Sequence, residues 1–186
     1  MAVPRLILAS TSPRRRELLR QHGYDFTVLA PEVEEIAPPE FTPAEVTLAN
    51  ARLKARAIAA QQPGALVIGA DTVVAFEGEI LGKPRDLEHA FEMLARLNGR
   101  VHEVWSGVWL AGGTRETGFN EVTRVRFRQL DDAQLRSYLA RIGPLDKAGA
   151  YAAQDDRGEL IDCFEGCFDN VIGLPMKSLA WALERL

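Results

Sequence analysis

The run Ala65-Leu66-Val67-Ile68-Gly69-Ala70 restricts the fold of this chain more than any other stretch. A strand with one wet face alternates apolar and polar residues. An unbroken apolar run is expected of a central strand covered on both faces. A second short run, Leu6-Ile7-Leu8-Ala9, reads as another buried strand. Helical patterns alternate with such runs along the chain, which predicts a mixed α/β fold.

The helix after Leu6–Ala9 is marked at both ends. Ser12 is a good N-cap, and Pro13 fits the first helical position, where its missing N–H costs nothing. Leu18 and Leu19 begin the buried face, and Gly23 is the stop. The first turn is electrostatically odd. A helix N-terminus carries partial positive charge, yet Arg14, Arg15 and Arg16 all stand there. An anion at the helix tip turns that cost into a gain, since backbone N–H groups, serine hydroxyls and guanidinium forks suit a phosphate chain. The bland alternative is a basic surface turn. Arg16 shares a face with Arg20 and is expected to point to solvent.

Further along, Tyr24–Leu29 reads as a strand, followed by a stiff acidic loop holding Glu34, Glu35, Pro38 and Pro39. Thr42-Pro43-Ala44-Glu45 is a capping box, and its helix should run to about Gln61, with Val46, Ala49, Leu53 and Ala57 at helical spacing. Asp71-Thr72 should mark the carboxyl end of the central strand. Val73–Phe76 and Glu79–Leu81 then form a hairpin around Glu77-Gly78. Asp86 caps a helix that faces inward through Leu87, Ala90, Phe91, Leu94 and Leu97 and stops at Gly99. Strands over Val101–Leu110 and Glu121–Phe127 are separated by Gly112-Gly113. On the second, Arg124 and Arg126, followed by Arg128, line a face expected to be solvated, opposite Thr123, Val125 and Phe127. A helix from Asp131 or Asp132 through Leu135, Tyr138, Leu139 and Ile142 is stopped by Gly143-Pro144. A loop of small residues, Leu145–Gln154, follows. A strand around Leu160–Phe164 and a last helix with Leu179, Leu183 and Leu186 on one face close the pattern.

Length and charge narrow the function. At 186 residues the chain suits one domain or a two-lobed single unit. A net charge of −4 argues against non-specific duplex binding, which needs a broad basic face. Cys163 and Cys167 lack the partners of a zinc pattern and read as thiols in a reducing compartment. No signal peptide and no apolar segment of membrane-spanning length are found, so a cytoplasmic protein is expected.

The common nucleotide motifs fail. There is no G-x-G-x-x-G, and Gly78–Pro84 only imitates a P-loop, with proline where Ser or Thr would hold magnesium. His22, His89 and His102 are scattered and read as ordinary surface or partly buried histidines. What remains is Asp71 at a strand end, where ligands gather in α/β sheets, and the Glu34-Glu35 pair. Hard oxygen ligands of this kind suit magnesium or manganese shared with substrate phosphates. Lys54 interrupts an Ala/Leu-rich helix, and its bland reading is a surface lysine.

Five motifs occur in order: Ser10-Thr11-Ser12-Pro13-Arg14-Arg15, Gly69-Ala70-Asp71-Thr72-Val73-Val74, Gly82-Lys83-Pro84-Arg85-Asp86, Asp146-Lys147-Ala148-Gly149-Ala150-Tyr151 and Asn170-Val171-Ile172-Gly173-Leu174-Pro175. Together they resemble the Maf family of nucleoside triphosphate pyrophosphatases over nearly the whole chain. The resemblance implies one Maf-like domain over residues 1–186, with an elongated, twisted mixed sheet flanked by helices and a cleft between two lobes. It implies cleavage of a nucleoside triphosphate between the α- and β-phosphates with a divalent cation, Mg2+ or Mn2+. By the same resemblance Asp71 matches the catalytic acidic residue and a metal ligand, and Glu35 a second metal ligand. Lys54 and Lys83 match triphosphate-binding lysines, and Ser10, Arg14 and Arg15 the signature turn.

The Lys147–Gln154 segment resembles the branch acting on dTTP and UTP, whereas the branch acting on 7-methyl-GTP differs there. Arg14, Thr72 and Gln154 match residues associated with that choice. Gly143 and Asp155 depart from the pattern of many relatives beside this loop. The implied partner is the nucleotide alone, with no nucleic acid and no membrane, and a homodimer is compatible with it. Removal of non-standard nucleotides and control of pyrimidine pools both fit. The rival of a different class is a nucleotide-sensing binding protein, since the family was linked to septum formation. A pure binder would not need both Glu35 and Asp71 beside the phosphates.

Overall fold

Local signals in the sequence set most of the element boundaries seen in the computed structural model, which describes residues 5–112 and 115–186. β1 (Leu6–Ala9) is followed by α1 (Pro13–Gln21), capped by Ser12 with Pro13 at its start. β2 is Thr27–Leu29, shorter than its sequence pattern suggests. α2 (Pro43–Ala59) opens on the full Thr42/Glu45 capping box. β3 (Leu66–Phe76) and β4 (Glu79–Leu81) form the expected hairpin, with Val74 opposite Leu81. α3 (Leu87–Leu97) starts at the Asp86 cap. β5 (Val101–Gly112) and β6 (Arg115–Phe127) are both longer than expected, and Gly113 lies outside the described residues. α4 (Asp132–Ile142) carries a second capping box, Asp131/Gln134. Three short 3-10 turns cover the small-residue loop. β7 (Ile161–Glu165), a five-residue helix α5 (Phe168–Ile172) and α6 (Met176–Leu183) complete the chain.

The seven strands hydrogen-bond in the order β2-β1-β3-β5-β6-β7, with β4 on β3. β1 pairs in parallel with β2 and β3, while β4 and β7 pair antiparallel with β3 and β6. The fold is therefore a mixed α/β sheet protein, as expected.

Residues divide into two compact units. The first holds 1–72, 106–121 and 173–186, and the second 73–105 and 122–172. The core of the first is built on Ile7, Ala9, Ala55, Ile58 and Val67. That of the second gathers Phe76, Leu94, Leu97, Val125, Phe127, Leu135 and Tyr138. Each fully buried Leu or Phe here is worth roughly 1.5–3 kcal/mol over the exposed state. Arg124, Arg126 and Arg128 are exposed opposite buried Thr123, Val125 and Phe127, as the period-2 pattern predicts.

Several expectations need correction. Asp71 does not end a strand: β3 runs on for five residues beyond it. What ends nearby is β1, whose parallel ladder with β3 stops at Ala9 opposite Gly69. The inward face of α2 is Val46, Thr47, Asn50, Ala51, Lys54, Ala55 and Ile58, and Leu53 is exposed. Helical spacing of apolar residues misplaced this face because its buried positions include polar ones. Leu87 is likewise exposed, and Met93 takes its place in the core. His102 is almost fully buried, deeper than the surface or partly buried setting expected of it. Its ring packs edge-on against Phe127 and Tyr151, Nε2 lies 3.0 Å from the Tyr151 hydroxyl, and Nδ1 has no partner among the described residues.

Candidate active site

Two glycines let α2 lie close on the sheet of the first unit. A Cβ on Gly69 would sit 2.1 Å from the Ala51 carbonyl, and one on Gly107 would sit 2.3 Å from the Thr47 carbonyl carbon. The helix backbone can approach β3 and β5 only because neither residue has a side chain. The approach carries Asn50 and Lys54, one turn apart on the same face, to Asp71.

There Lys54 Nζ donates to Asp71 Oδ1 at 2.7 Å and pairs with Glu35 Oε1 at 2.6 Å. The Ala70 carbonyl lies 3.5 Å from the same nitrogen. Lys54 and Asp71 are buried, whereas the Glu35 side chain is 59% exposed. Asn50 Nδ2 donates to Asp71 Oδ2 at 3.2 Å and to the Ile36 carbonyl at 3.0 Å. Its Oδ1 accepts from Ile36 N at 2.8 Å. Asn50 thus clamps the acidic loop at the residue next to Glu35 and brings that carboxylate to Lys54. Glu34 is exposed.

The α1 tip forms the second half of the site. The buried Ser10 hydroxyl accepts from Ser12 N at 3.1 Å, folding the turn before the helix. Arg15 donates through Nε to the Gly173 carbonyl at 2.9 Å, through Nη2 to Thr72 Oγ1 at 3.0 Å and through Nη1 to Ser10 Oγ at 3.3 Å. Burial lowers the pKa of this guanidinium, and the Asp71 carboxylate pulls it back up. Arg14 adds a smaller lowering effect and Glu35 a smaller raising one. An arginine remains cationic under all of these influences. Arg14 is half-buried and makes no side-chain hydrogen bond among the described residues, while Arg16 is exposed, as its helix position predicts.

The structure therefore brings Ser10, Arg15, Glu35, Lys54, Asp71 and Thr72 together within one unit, with Arg14 beside them on the same helix tip. Lys83 and Gln154 belong to the second unit. Both are exposed, Lys83 after the β3–β4 hairpin and Gln154 in a 3-10 turn. Lys54 departs from its bland reading: it is a buried cation held by two carboxylates, not a surface lysine.

Asn50 and Ser106 escaped the sequence reading. A signal existed for Asn50, a polar residue four before Lys54 in a helix otherwise read by its apolar residues. Nothing distinguishes Ser106 from any serine in a strand.

The donor set fits a hard divalent cation. Asp71 and Glu35 already converge on one cation, the Lys54 ammonium, at ordinary ion-pair distances. Two carboxylate oxygens completed by phosphate oxygens are what magnesium or manganese takes. No group of three or more His, Cys, Asp or Glu that could hold a metal occurs among the described residues.

The chain is similar to known proteins over nearly its whole length. The sequence profile of Maf-like proteins matches residues 5–186. The dTTP/UTP pyrophosphatase of Symbiobacterium thermophilum is 49% identical, across 92% of this chain and 88% of that protein. The dTTP/UTP pyrophosphatase of Myxococcus xanthus is 49% identical over 97% of this chain and 91% of its own. That of Thermococcus gammatolerans is 42% identical over 97% and 96%. Among solved structures, the Ham1 protein of Staphylococcus aureus aligns with a TM-score of 0.56 at 17% identity, covering 97% of this chain and 98% of that one. A HAM1 protein from Coxiella burnetii aligns with 0.53 at 12%, covering 99% and 100%. At these identities the two structures speak to the fold alone.

Proposed function

We propose, from the premise that the chain belongs to the Maf-like protein family, that it hydrolyses dTTP and UTP to the monophosphate and pyrophosphate. The observation that carries this reading is the pairing of an acid centre with a basic helix tip inside one unit. Asp71, Glu35 and Lys54 form the first, and Ser10, Arg14 and Arg15 the second. A carboxylate centre alone would suit many hydrolases. Beside an arginine-rich helix N-terminus it suits a charged phosphoanhydride. Relatives named for dTTP and UTP, aligned over nearly the full chain, support the choice of base.

The residues divide the work as follows. Asp71, buried and fixed by Asn50 and Lys54, orients the attacking water and accepts its proton. Lys54 offsets carboxylate charge, so an incoming polyanion meets less repulsion. Its ammonium can then turn from the carboxylates to the phosphates. Arg14 and Arg15 hold the leaving pyrophosphate, a task that planar forks do better than point charges. Magnesium or manganese, held by Asp71 and Glu35, would neutralise charge on the phosphate oxygens. Such positioning and charge stabilisation supply most of the rate enhancement in phosphoryl transfer. Lys83 for the triphosphate and Gln154 for the base are assigned by resemblance. A carboxamide offers both donor and acceptor and pairs with the imide edge shared by thymine and uracil. Cys163 and Cys167 remain thiols, compatible with a cytoplasmic protein working on the nucleotide pool.

The test is pyrophosphate release from dTTP, UTP, CTP, purine triphosphates and 7-methyl-GTP, with and without magnesium or manganese. Thymidine and uridine substrates should fall within ~1–3 kcal/mol of each other in kcat/KM, the range for one methyl group. CTP should be worse, because its edge lacks the imide pattern. If 7-methyl-GTP is the best substrate, the assignment of the base is wrong.

A further inference from the structure

Thr72 lies at the edge of the acid centre, and the resemblance associates it with the choice of base. Its hydroxyl is already occupied. Arg15 Nη2 donates to it at 3.0 Å, the Ser106 hydroxyl lies at 2.8 Å, and the Gly173 carbonyl lies at 3.3 Å. A hydroxyl carries one proton and two lone pairs. Arg15 can only donate and the carbonyl can only accept. One assignment satisfies all three contacts: Thr72 gives its proton to Gly173 and accepts from both Arg15 and Ser106. That assignment fills the oxygen and leaves it no capacity for a nucleotide.

The Arg15 guanidinium shows the reverse balance. It has five N–H donors, and three go to neutral oxygens, those of Gly173, Thr72 and Ser10. Three directed bonds fix a planar group, and the remaining donors and the full charge stay available to an anion. Ser106 on β5 is completely buried and Thr72 is half-buried, so the hydroxyl pair behind Arg15 is shielded from water on the Ser106 side.

We propose that Thr72 and Ser106 are positioning residues. Their hydroxyl pair sets the plane of the Arg15 guanidinium against the Gly173 carbonyl, and Thr72 acts on a bound polyphosphate through Arg15 without touching the nucleotide. This rests on the reading that Arg15 binds the phosphates of the substrate. It separates Thr72 from any direct contact with the base.

The experiment is a double-variant cycle read by calorimetric titration with inorganic pyrophosphate. It uses the full chain as wild type, Thr72→Ser, Thr72→Val, Ser106→Ala, Arg15→Ala and Arg15→Ala/Thr72→Val. Thermal melts of each variant and the dTTP-to-CTP ratio of kcat/KM accompany the titration. Thr72→Val and Ser106→Ala should each weaken pyrophosphate binding by about five- to tenfold, the scale of one hydrogen bond. Thr72→Ser should restore binding to near wild type. The double variant should bind no worse than Arg15→Ala, because both changes act through one guanidinium. The dTTP-to-CTP ratio of Thr72→Val should stay at its wild-type value.

The proposal is overturned if Thr72→Val leaves pyrophosphate binding intact and shifts the base ratio, or if the two losses add independently. It is also overturned if wild type binds no pyrophosphate. Failure of the nucleotide reading shows separately, as absent turnover of dTTP and UTP by wild type, and the pyrophosphate cycle still decides the role of Thr72.

Discussion

Replacing Asp71 by asparagine keeps the volume and removes the charge, and the surroundings of the side chain set the consequences. One oxygen accepts from Lys54 at 2.7 Å and the other from Asn50 Nδ2 at 3.2 Å. If the new carbonyl oxygen keeps Lys54, the new NH2 faces the NH2 of Asn50, donor against donor. If it turns round, the NH2 meets the ammonium. Either way one bond is lost, and the other is weakened because the carboxylate charge is gone. The loss is about 2–4 kcal/mol, from ~1–3 for an unsatisfied buried donor and ~1 for the weakened bond. For a chain of this size that lowers Tm by roughly 4–16 °C, which a domain stable by ~5–15 kcal/mol survives at 25 °C. Lys54 keeps Glu35 as a partner. Turnover should fall far more, by ~100-fold or more, because the proton acceptor is gone. Pyrophosphate release at saturating dTTP, beside a thermal melt, measures both. A folded Asp71→Asn protein within tenfold of wild-type turnover would refute the role given to Asp71.

Other consequences follow from the same geometry. Gly69→Ala sets a Cβ 2.1 Å from the Ala51 carbonyl and 2.7 Å from Ala55 N, backbone atoms that cannot turn aside. A stability loss of at least ~3 kcal/mol by urea unfolding is expected, at the upper end for overpacking, and an unchanged midpoint would contradict the close approach of α2. Arg14→Ala should raise KM for dTTP by about tenfold, the scale of a charge-assisted bond, while Arg16→Ala, on the exposed face, should leave KM near wild type; equal effects would mean that the facing of α1 is wrong. His102 titrates at about 4 because burial disfavours its charged form, against 6.5 in the unfolded chain. The unfolded state therefore binds the extra proton, so stability is complete above pH 6.5, falls through the interval down to pH 4, and is level below it. The loss at pH 5 is about 2 kcal/mol, read by urea unfolding at two pH values, and His102→Gln should remove that share of the slope.

How much of this was legible in the sequence depends on which forces fixed each part. Capping is local, so Ser12, Thr42, Asp86 and the Asp131-Asp132 pair announced four helix starts that the structure keeps, the last at Asp131. The Glu77-Gly78 hairpin is local too. The facing of α2 was not, because Asn50 and Lys54 sit inward for the sake of a carboxylate on another element. A pattern of apolar residues cannot register a polar face that is buried to satisfy a partner. The continuation of β3 past Asp71 was hidden for a similar reason: the charged residue looked like an end, and its burial depends on Lys54 and Asn50. Ser106 gave no sign at all, since its meaning lies in the hydroxyl of Thr72 across the sheet.

The central claim, hydrolysis at the α-phosphorus by a water that Asp71 orients, is tested most directly by turnover of dTTP in oxygen-18-labelled water with mass analysis of both products. The account predicts one labelled oxygen in the thymidine monophosphate and none in the pyrophosphate. Label in the pyrophosphate, or release of inorganic phosphate in its place, would contradict it.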